Sequence, residues 1–249
     1  MDIVIVASNK DFQVLIHGIP SIQKYIKSKH IYIITNDVSQ ANIMFGSIEN
    51  ISIIDETIFP FKYSDIEKYV PGVGSRAGWY LQQFLKLYAG NVLNLSEYYL
   101  VIDADVVFYS PISFFNNNCH PIYTMGSEHH HPYFDHMNRL HPSLTKIATV
   151  SGITHHMVFN RNILNELFEF VEKHHNYTDP FWMICLKQID SFHACRSGMS
   201  EYEIYFNYLL LKQHSMEPRL LRWTNQSTKL MPTHENTKMY NYIAYHSWI

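Results

Sequence analysis

The fold is decided by residues 98–108, which read Tyr98-Tyr99-Leu100-Val101-Ile102-Asp103-Ala104-Asp105-Val106-Val107-Phe108. An apolar run leads into Asp-Ala-Asp and is followed by a second apolar run, a pattern typical of a buried strand that ends in a polar segment. Residues i and i+2 of an extended segment point to the same side, so we expect the two carboxylates to lie together. Two such charges beside a buried strand are costly unless a cation neutralises them, and oxygen ligands of this kind suit Mg²⁺ or Mn²⁺. The alternative is a solvated turn that holds two aspartates by chance.

Strands and helices alternate on the N-terminal side of this stretch. Apolar runs predict buried strands over residues 3–7, 31–35 and 51–54, and helical spacing of apolar residues predicts helices over 14–26, 65–70 and 76–89. This order predicts an α/β fold with a mostly parallel sheet that is flanked by helices. Ligands of such sheets bind beyond the carboxyl ends of the strands, where Asp103 is expected to lie.

The C-terminal half mixes strands and helices less regularly. Residues 122–125, 157–160 and 242–245 are predicted strands, and residues 161–174 and 201–212 are predicted helices. The chain contains no repeat and no Gly/Ser-rich linker, so we expect a single domain over 1–249. Within it, residues 1–110 are predicted to form a nucleotide-binding half and residues 111–249 an acceptor-binding half.

Composition narrows the class of protein. Apolar residues make up 47% of the 249 residues and charged residues 16%, which indicates a globular chain. The formal charge of −3 and the scattered Lys and Arg residues favour neither a nucleic-acid partner nor an anionic membrane. No apolar run approaches the ~18 residues of a transmembrane segment. Three cysteines are sparse, which fits a reducing compartment. We therefore expect a cytoplasmic protein, with peripheral membrane association left open.

Four motifs follow one another in a characteristic order. A helix beginning at Arg76-Ala77-Gly78-Trp79 precedes the Asp-Ala-Asp region of residues 98–113, and the segments beginning Ser151-Gly152 and Ser200-Glu201-Tyr202-Glu203 come later. In this combination the chain resembles the GT-A glycosyltransferases, and it is similar to a poorly characterised GT-A-like family of bacteria and giant viruses. The resemblance covers most of the chain.

The resemblance implies a metal-dependent enzyme. A sugar of hexosyl type would pass from a nucleotide-sugar donor, with a UDP-sugar favoured, to a glycan or a lipid- or protein-linked hydroxyl acceptor. Asp103 would contact the donor ribose or the metal, Asp105 would bind Mn²⁺ or Mg²⁺ directly, and His246 would match the further ligand found near the C-terminus of such enzymes. The alternative for His246 is a surface histidine on a terminal strand.

The segment Ser200-Glu201-Tyr202-Glu203 resembles the acidic motif that supplies the general base of inverting GT-A enzymes, with Glu201 in the matching position. Ser200 followed by Glu203 also predicts a capping box, in which Glu203 would have a structural role. Glu203 is therefore only the second candidate for the base, after Glu201. A retaining enzyme without such a base is the open alternative.

Several polar residues are candidates for binding the donor. Arg76, Gln83 and Lys86 lie on the helix before Asp103, and Gln83 and Lys86 share one of its faces. A solvated polar face is the alternative. Ser151-Gly152 would bring the backbone close to the sugar, where a side chain would obstruct it.

A histidine-rich segment invites a different interpretation. His129-His130-His131 is followed by Asp135 and His136, yet three consecutive residues cannot all face one ion in regular structure. We expect a surface loop here, with an acceptor-binding loop and a zinc site as alternatives. Of the pair His155-His156, we expect one side chain to face the cleft and the other the core.

Two other functions compete with sugar transfer. The segment 103–107 also fits the aspartate loop of haloacid-dehalogenase-type phosphatases, although these carry it after the first strand. A non-catalytic nucleotide- or sugar-binding protein on the same fold is the second alternative, since fold does not fix activity.

Overall fold

A five-stranded sheet lies at the centre of the protein, in the order β3-β2-β1-β4-β7. The computed structural model describes residues 1–231 and 239–246. Strands β1 to β4 are parallel and β7 pairs with β4 in the antiparallel direction. The strands comprise β1 (Asp2–Val6), β2 (Ile31–Thr35), β3 (Ile51–Asp55), β4 (Tyr98–Asp103) and β7 (His156–Asn160).

Helices flank this sheet, and the main apolar cluster extends from Ile3 to Ala244, with a small second cluster around Val14 and Ile243. The predicted α/β architecture is therefore confirmed. The helices are α1 (Phe12–Tyr25), α2 (Val38–Phe45), α3 (Tyr63–Tyr69), α4 (Ala77–Val92), α5 (His131–Leu140), α6 (Arg161–His174), α7 (Phe181–Lys187) and α8 (Glu201–Leu211).

Two smaller sheets complete the fold. One has the order β5-β10-β9 and the other pairs β6 with β8. Strand β10 lies beside the turn that follows β4. The Tyr245 N–H donates to the carbonyl oxygen of Asp105 over 2.7 Å and holds the two together. The strands of these sheets are β5 (Val106–Phe108), β6 (Ile122–Thr124), β8 (Glu217–Arg219), β9 (Trp223–Ser227) and β10 (Tyr242–His246).

Strand β4 places Asp103 at one edge of the large sheet. In β4 the side chains from Tyr99 to Ile102 are buried, and in the register with β1 Asp103 pairs with Val6, the last residue of that strand. Because parallel strands end at the same edge, Asp103 lies at the carboxyl edge of the sheet.

The histidine-rich segment is divided between a loop and a helix: His129 and His130 lie in a loop, as we expected, whereas His131 begins a helix that we did not expect. Helix α5 begins at His131 with Pro132 in its first turn, and it buries Tyr133, His136, Met137 and Leu140. Those positions recur every three or four residues, the spacing of one helix face. The run of histidines hid that pattern.

The described residues contain no helix that is both long and apolar enough to span a bilayer.

His136 gives the fold a pH dependence that can be measured. Burial lowers the pKa of this side chain to about 4, although its hydrogen bond to the carbonyl oxygen of Cys185 opposes the shift. An unfolded histidine titrates near pH 6.5, so the unfolded chain takes up the proton first as the pH falls. The contribution to stability is complete above pH 6.5 and is lost progressively towards pH 4.

We predict that the free energy of unfolding falls by about 2 kcal/mol more in wild type than in His136→Gln between pH 7.5 and pH 5. Glutamine can still donate to Cys185 but takes up no proton. Urea denaturation of both proteins at the two pH values checks this. An identical pH dependence would show that His136 is not a buried neutral histidine.

Candidate active site

The carboxylate of Asp103 is held by three side chains. Its Oδ1 atom accepts from the Lys86 ammonium over 2.6 Å and from the Tyr202 hydroxyl over 2.8 Å, and its Oδ2 atom lies 3.1 Å from Nδ1 of His155. Burial raises the pKa of Asp103, but Lys86 and His155 outweigh this and hold the pKa well below its usual range. Burial raises the pKa of Tyr202, which therefore remains a neutral hydroxyl donor. Asp103 is a fixed anion.

Lys86 connects Asp103 to a second carboxylate. Its ammonium lies 2.6 Å from Asp103 and 2.7 Å from Oε1 of Glu201, and its side chain is only 1% exposed. Burial lowers the pKa of Lys86, but the two carboxylates raise it above its ordinary value, so the ammonium keeps its charge. This contact joins α4, the end of β4 and the start of α8.

Asp105 lies in the turn formed with Ala104, where we had expected an extended segment to continue. The turn still brings the two aspartates together, since one ligand atom each from Asp103, Asp105 and His155 lie within 4.8 Å of one another. Oδ2 of Asp105 lies 2.8 Å from Nδ1 of His246, the last residue of β10. Oδ1 of Asp105 is buried and has no hydrogen-bond partner in the described structure.

This arrangement fits a divalent cation. A buried carboxylate oxygen without a donor is costly, and a metal ion would satisfy it. Two carboxylates and imidazole nitrogens form a donor set that suits Mn²⁺ and related ions. Within residues 1–231 and 239–246, the group Asp103, Asp105 and His155 is the only one of at least three such side chains with this spacing.

The two adjacent histidines face opposite ways, as predicted. His155 lies beside Asp103, whereas His156 begins β7 and is 2% exposed, with its Nε2 atom 2.9 Å from the hydroxyl of Thr124. No pattern in the sequence assigned His155 to the metal group, because the resemblance pointed only to a histidine near the C-terminus. Asn225, which contacts His155, carried no signal either.

Glu203 has a structural environment. The Ser200 hydroxyl caps α8 by accepting from the Glu203 N–H over 3.3 Å, which is half of the predicted capping box. The carboxylate of Glu203 does not complete that box; it accepts from Ser151 over 2.5 Å and from Asn207 over 2.8 Å. Lys146 lies 3.7 Å away, and Glu203 is fully buried. Its surroundings are those of an anchor between α8 and the loop that precedes β7.

Ser151 and Gly152 belong to the same packed region and not to an open face of the cleft. Ser151 is fully buried on Glu203, and a Cβ atom at Gly152 would lie 2.7 Å from both Met157 and Phe206. The structure thus replaces our expectation of a close approach to sugar with close packing of this loop against β7 and α8.

Gln83 and Arg76 are engaged elsewhere. Gln83 is fully buried, and its amide oxygen accepts from the Glu201 N–H over 2.9 Å, so it supports the start of α8. Arg76 donates to Ser197 and to the carbonyl oxygen of Arg196, and it stacks on Trp79. Arg76 precedes Lys86 by ten residues, which is roughly 15 Å along the helix. Of the three candidates Arg76, Gln83 and Lys86, Lys86 is therefore the one that contacts Asp103.

The histidines at the start of α5 lie apart from this group. His129 and His131 are exposed, and Nε2 of His130 contacts the carbonyl oxygen of Ser197 over 3.0 Å. The described part of the chain brings no set of metal-ligand spacing together there, so the zinc alternative has no support.

Comparison with known proteins identifies the family of this chain. Residues 10–241 match the model of the family of unknown function DUF6492, and the chain belongs to that family. A search of curated proteins gave no significant match.

Solved structures of the galactosyltransferase LgtC are similar to this chain. The complex with donor and acceptor sugar analogues is 11% identical, with a TM-score of 0.48, and an active-site mutant of LgtC is 14% identical, with a TM-score of 0.50. In both cases the match covers 98% of this chain and 87% of the other. The second match shows that the chain shares the GT-A fold of LgtC. Asp103 ends the fourth strand of this fold, which removes the basis for the haloacid-dehalogenase alternative.

Lys86 should be essential for stability. We predict that Lys86→Met lowers the free energy of unfolding by about 3–5 kcal/mol, because it leaves two carboxylates close together and without their cation. Lys187→Met is the matched control: its partner Asp179 is 2.7 Å away, but Lys187 is 42% exposed, so the loss should be below about 1 kcal/mol. Chemical denaturation measures both. Equal losses would contradict the account of the buried pair.

Proposed function

We propose that this protein is a metal-dependent glycosyltransferase that moves a hexosyl group from a nucleotide sugar, with a UDP-sugar favoured, to a hydroxyl acceptor. The observation that carries the proposal is the Oδ1 atom of Asp105, which is buried beside Asp103 at the carboxyl edge of a GT-A sheet and has no hydrogen-bond partner among the described residues. The acceptor would be a glycan or a lipid- or protein-linked hydroxyl compound. Residues 1–110 would bind the nucleotide and residues 111–249 would shape the acceptor side.

Asp103, Asp105 and His246 would hold Mn²⁺ or Mg²⁺. When bound, the ion would neutralise the charge that develops on the nucleoside diphosphate as the sugar leaves. The chain's own contribution is to keep both aspartates in place: Lys86 and Tyr202 hold one side of Asp103, and His246 holds Asp105. Preorganised groups of this kind need no rearrangement during the reaction.

Glu201 is the proposed general base of an inverting reaction. It is the first residue of α8, and its carboxylate contacts the same Lys86 ammonium as Asp103 does. Glu201 therefore lies close to the proposed metal group, with only the Lys86 ammonium between them. Burial raises its pKa, with Lys86 opposing the shift, and a raised pKa makes a carboxylate a better proton acceptor near neutral pH. Oε1 is occupied by Lys86, so Oε2 would take the proton of the acceptor hydroxyl.

The metal assignment makes a direct prediction. Asp105→Asn should abolish Mn²⁺-dependent binding of UDP while leaving the fold intact, because it removes a carboxylate charge whose Oδ1 atom has no donor in the described part of the chain. Isothermal titration with UDP in Mn²⁺ and in EDTA measures this, and circular dichroism checks the fold. Asp179→Asn, at an exposed ion pair, should behave as wild type. Undiminished Mn²⁺ dependence in Asp105→Asn would refute the assignment.

The two glutamates of α8 should separate catalysis from structure. Glu201→Gln can still accept from Lys86 but cannot take a proton, so turnover should fall by about 10²–10⁴-fold. Glu203→Gln should leave turnover within about threefold of wild type, because Ser151 and Asn207 occupy both oxygens of the Glu203 carboxylate. It should lower stability by about 1–3 kcal/mol, because it disturbs these two bonds.

The measurement is steady-state release of nucleoside diphosphate with an active acceptor, together with thermal unfolding. UDP affinity should change little in Glu201→Gln, since the base acts on the acceptor. Wild-type turnover in Glu201→Gln would exclude it as the base and favour a retaining mechanism. No turnover by the wild type with any acceptor, despite metal-dependent binding, would favour a non-catalytic binding protein.

A further inference from the structure

The backbone at His155 has a conformation that is uncommon outside glycine. Its φ angle is +62°, in the left-handed region, which His, Asn and Asp adopt more often than other non-glycine residues do. Its carbonyl oxygen accepts from the Asp103 N–H over 2.8 Å, which fixes the backbone at this point. The imidazole is thereby turned towards Asp103.

The surroundings hold the loop that carries His155. Asn207 accepts from the backbone N–H of Ile147 over 3.0 Å, and Glu203 accepts from Ser151 over 2.5 Å. Both anchors lie on α8, one helical turn apart. The position of His155 is therefore set from outside the metal group.

Asn225 contacts the imidazole nitrogen of His155 that lies away from Asp103. Its side-chain oxygen lies 3.0 Å from Nε2, and because an amide oxygen accepts, this contact favours the tautomer with the hydrogen on Nε2. In the neutral ring Nδ1 then presents a lone pair. That atom lies 3.1 Å from the carboxylate oxygen Oδ2 of Asp103, so two lone pairs face each other unless a cation or a proton lies between them.

We propose that His155 is a ligand of the metal through Nδ1, with Asn225 as the residue that orients it. This inference rests on the proposed metal-dependent function and adds to it a specificity-determining residue. Together with His246, whose ring centroid is 5.4 Å from that of His155, it gives the two aspartates a pair of imidazoles. Imidazole nitrogens favour first-row transition ions such as Mn²⁺, Co²⁺ and Zn²⁺, whereas Mg²⁺ prefers an all-oxygen set. The site would therefore select a transition metal over Mg²⁺.

The contrasting interpretation is that a proton, and not a metal, bridges His155 and Asp103. His155 would then serve only to hold Asp103, as Lys86 and Tyr202 do. The two interpretations differ in whether a nitrogen of His155 is bound to the ion.

The test uses the full chain and the metal ions alone, without substrate. Mn²⁺ is titrated by electron paramagnetic resonance, Mg²⁺ affinity is obtained by competition, and nitrogen ligands are counted by electron spin-echo envelope modulation. His155→Asn is the main variant, because asparagine tolerates the left-handed backbone. Asn225→Ala removes the orienting oxygen and leaves the ligand. His129→Asn, an exposed histidine outside the metal group, is the matched control.

We expect nitrogen modulation from two imidazoles in wild type and in His129→Asn, and from one in His155→Asn. Mn²⁺ affinity should fall by at least about tenfold in His155→Asn and about tenfold in Asn225→Ala, while Mg²⁺ affinity changes less than about threefold. Wild-type Mn²⁺ binding with unchanged modulation and affinity in His155→Asn would overturn the role of His155 and leave the proposed function standing. A wild-type protein that binds neither ion would overturn the metal-dependent function as well.

Discussion

The contact of Lys86 with two carboxylates is the constraint on which the site depends. A buried ammonium is tolerated only with compensating charge, and Asp103 and Glu201 supply it at 2.6 and 2.7 Å. These three residues come from α4, the end of β4 and the start of α8. Because none of the charges can be left alone in the interior, the three elements must meet in one arrangement, and Gln83 reinforces it by accepting from the Glu201 backbone.

That constraint gives the two aspartates different tasks. Lys86 and Tyr202 both donate to Oδ1 of Asp103, so much of its charge is compensated inside the protein. Asp105 contacts His246 through one oxygen, and its other oxygen is buried and has no donor within residues 1–231 and 239–246. A cation that approaches the pair would therefore find one carboxylate held rigidly and another that needs a partner. This asymmetry is the physical basis of the proposed metal site, and the diphosphate of a nucleotide sugar is the ligand that such an ion would attract.

The sequence predicted the parts of the molecule that periodic patterns encode. The structure confirms the predicted elements whose apolar pattern is unbroken. These are the strand before Asp103, the long helix that carries Lys86, β7 and α6. Helices α2, α5 and α7 were missed, because they are short or, in α5, masked by consecutive histidines. Strands β8 and β9 lack an apolar run and form only by pairing with distant partners.

The candidate site could be predicted only where spacing along the chain carries its geometry. Asp103 and Asp105 are two residues apart, so their meeting is local. The roles of Ser151 and Gly152 depend on their contacts with α8. The side chain of His155 reaches Asp103 because the backbone of His155 itself is left-handed, and no pattern of residue types predicts that conformation. Asn225 meets His155 across 70 positions of the chain. Such long-range contacts are decided by packing, and a single sequence does not display them.

Slow release of nucleoside diphosphate from nucleotide sugars tests the central claim most directly. The protein is incubated with a panel of nucleotide sugars in Mn²⁺ or in EDTA, with water as the default acceptor, and the products are separated by anion-exchange chromatography. We predict that one nucleotide sugar, a UDP-sugar in the favoured case, is cleaved to the nucleoside diphosphate and free sugar only when the metal is present. Cleavage that is equally fast in EDTA, or no cleavage of any member of the panel beyond the protein-free rate, would contradict the account.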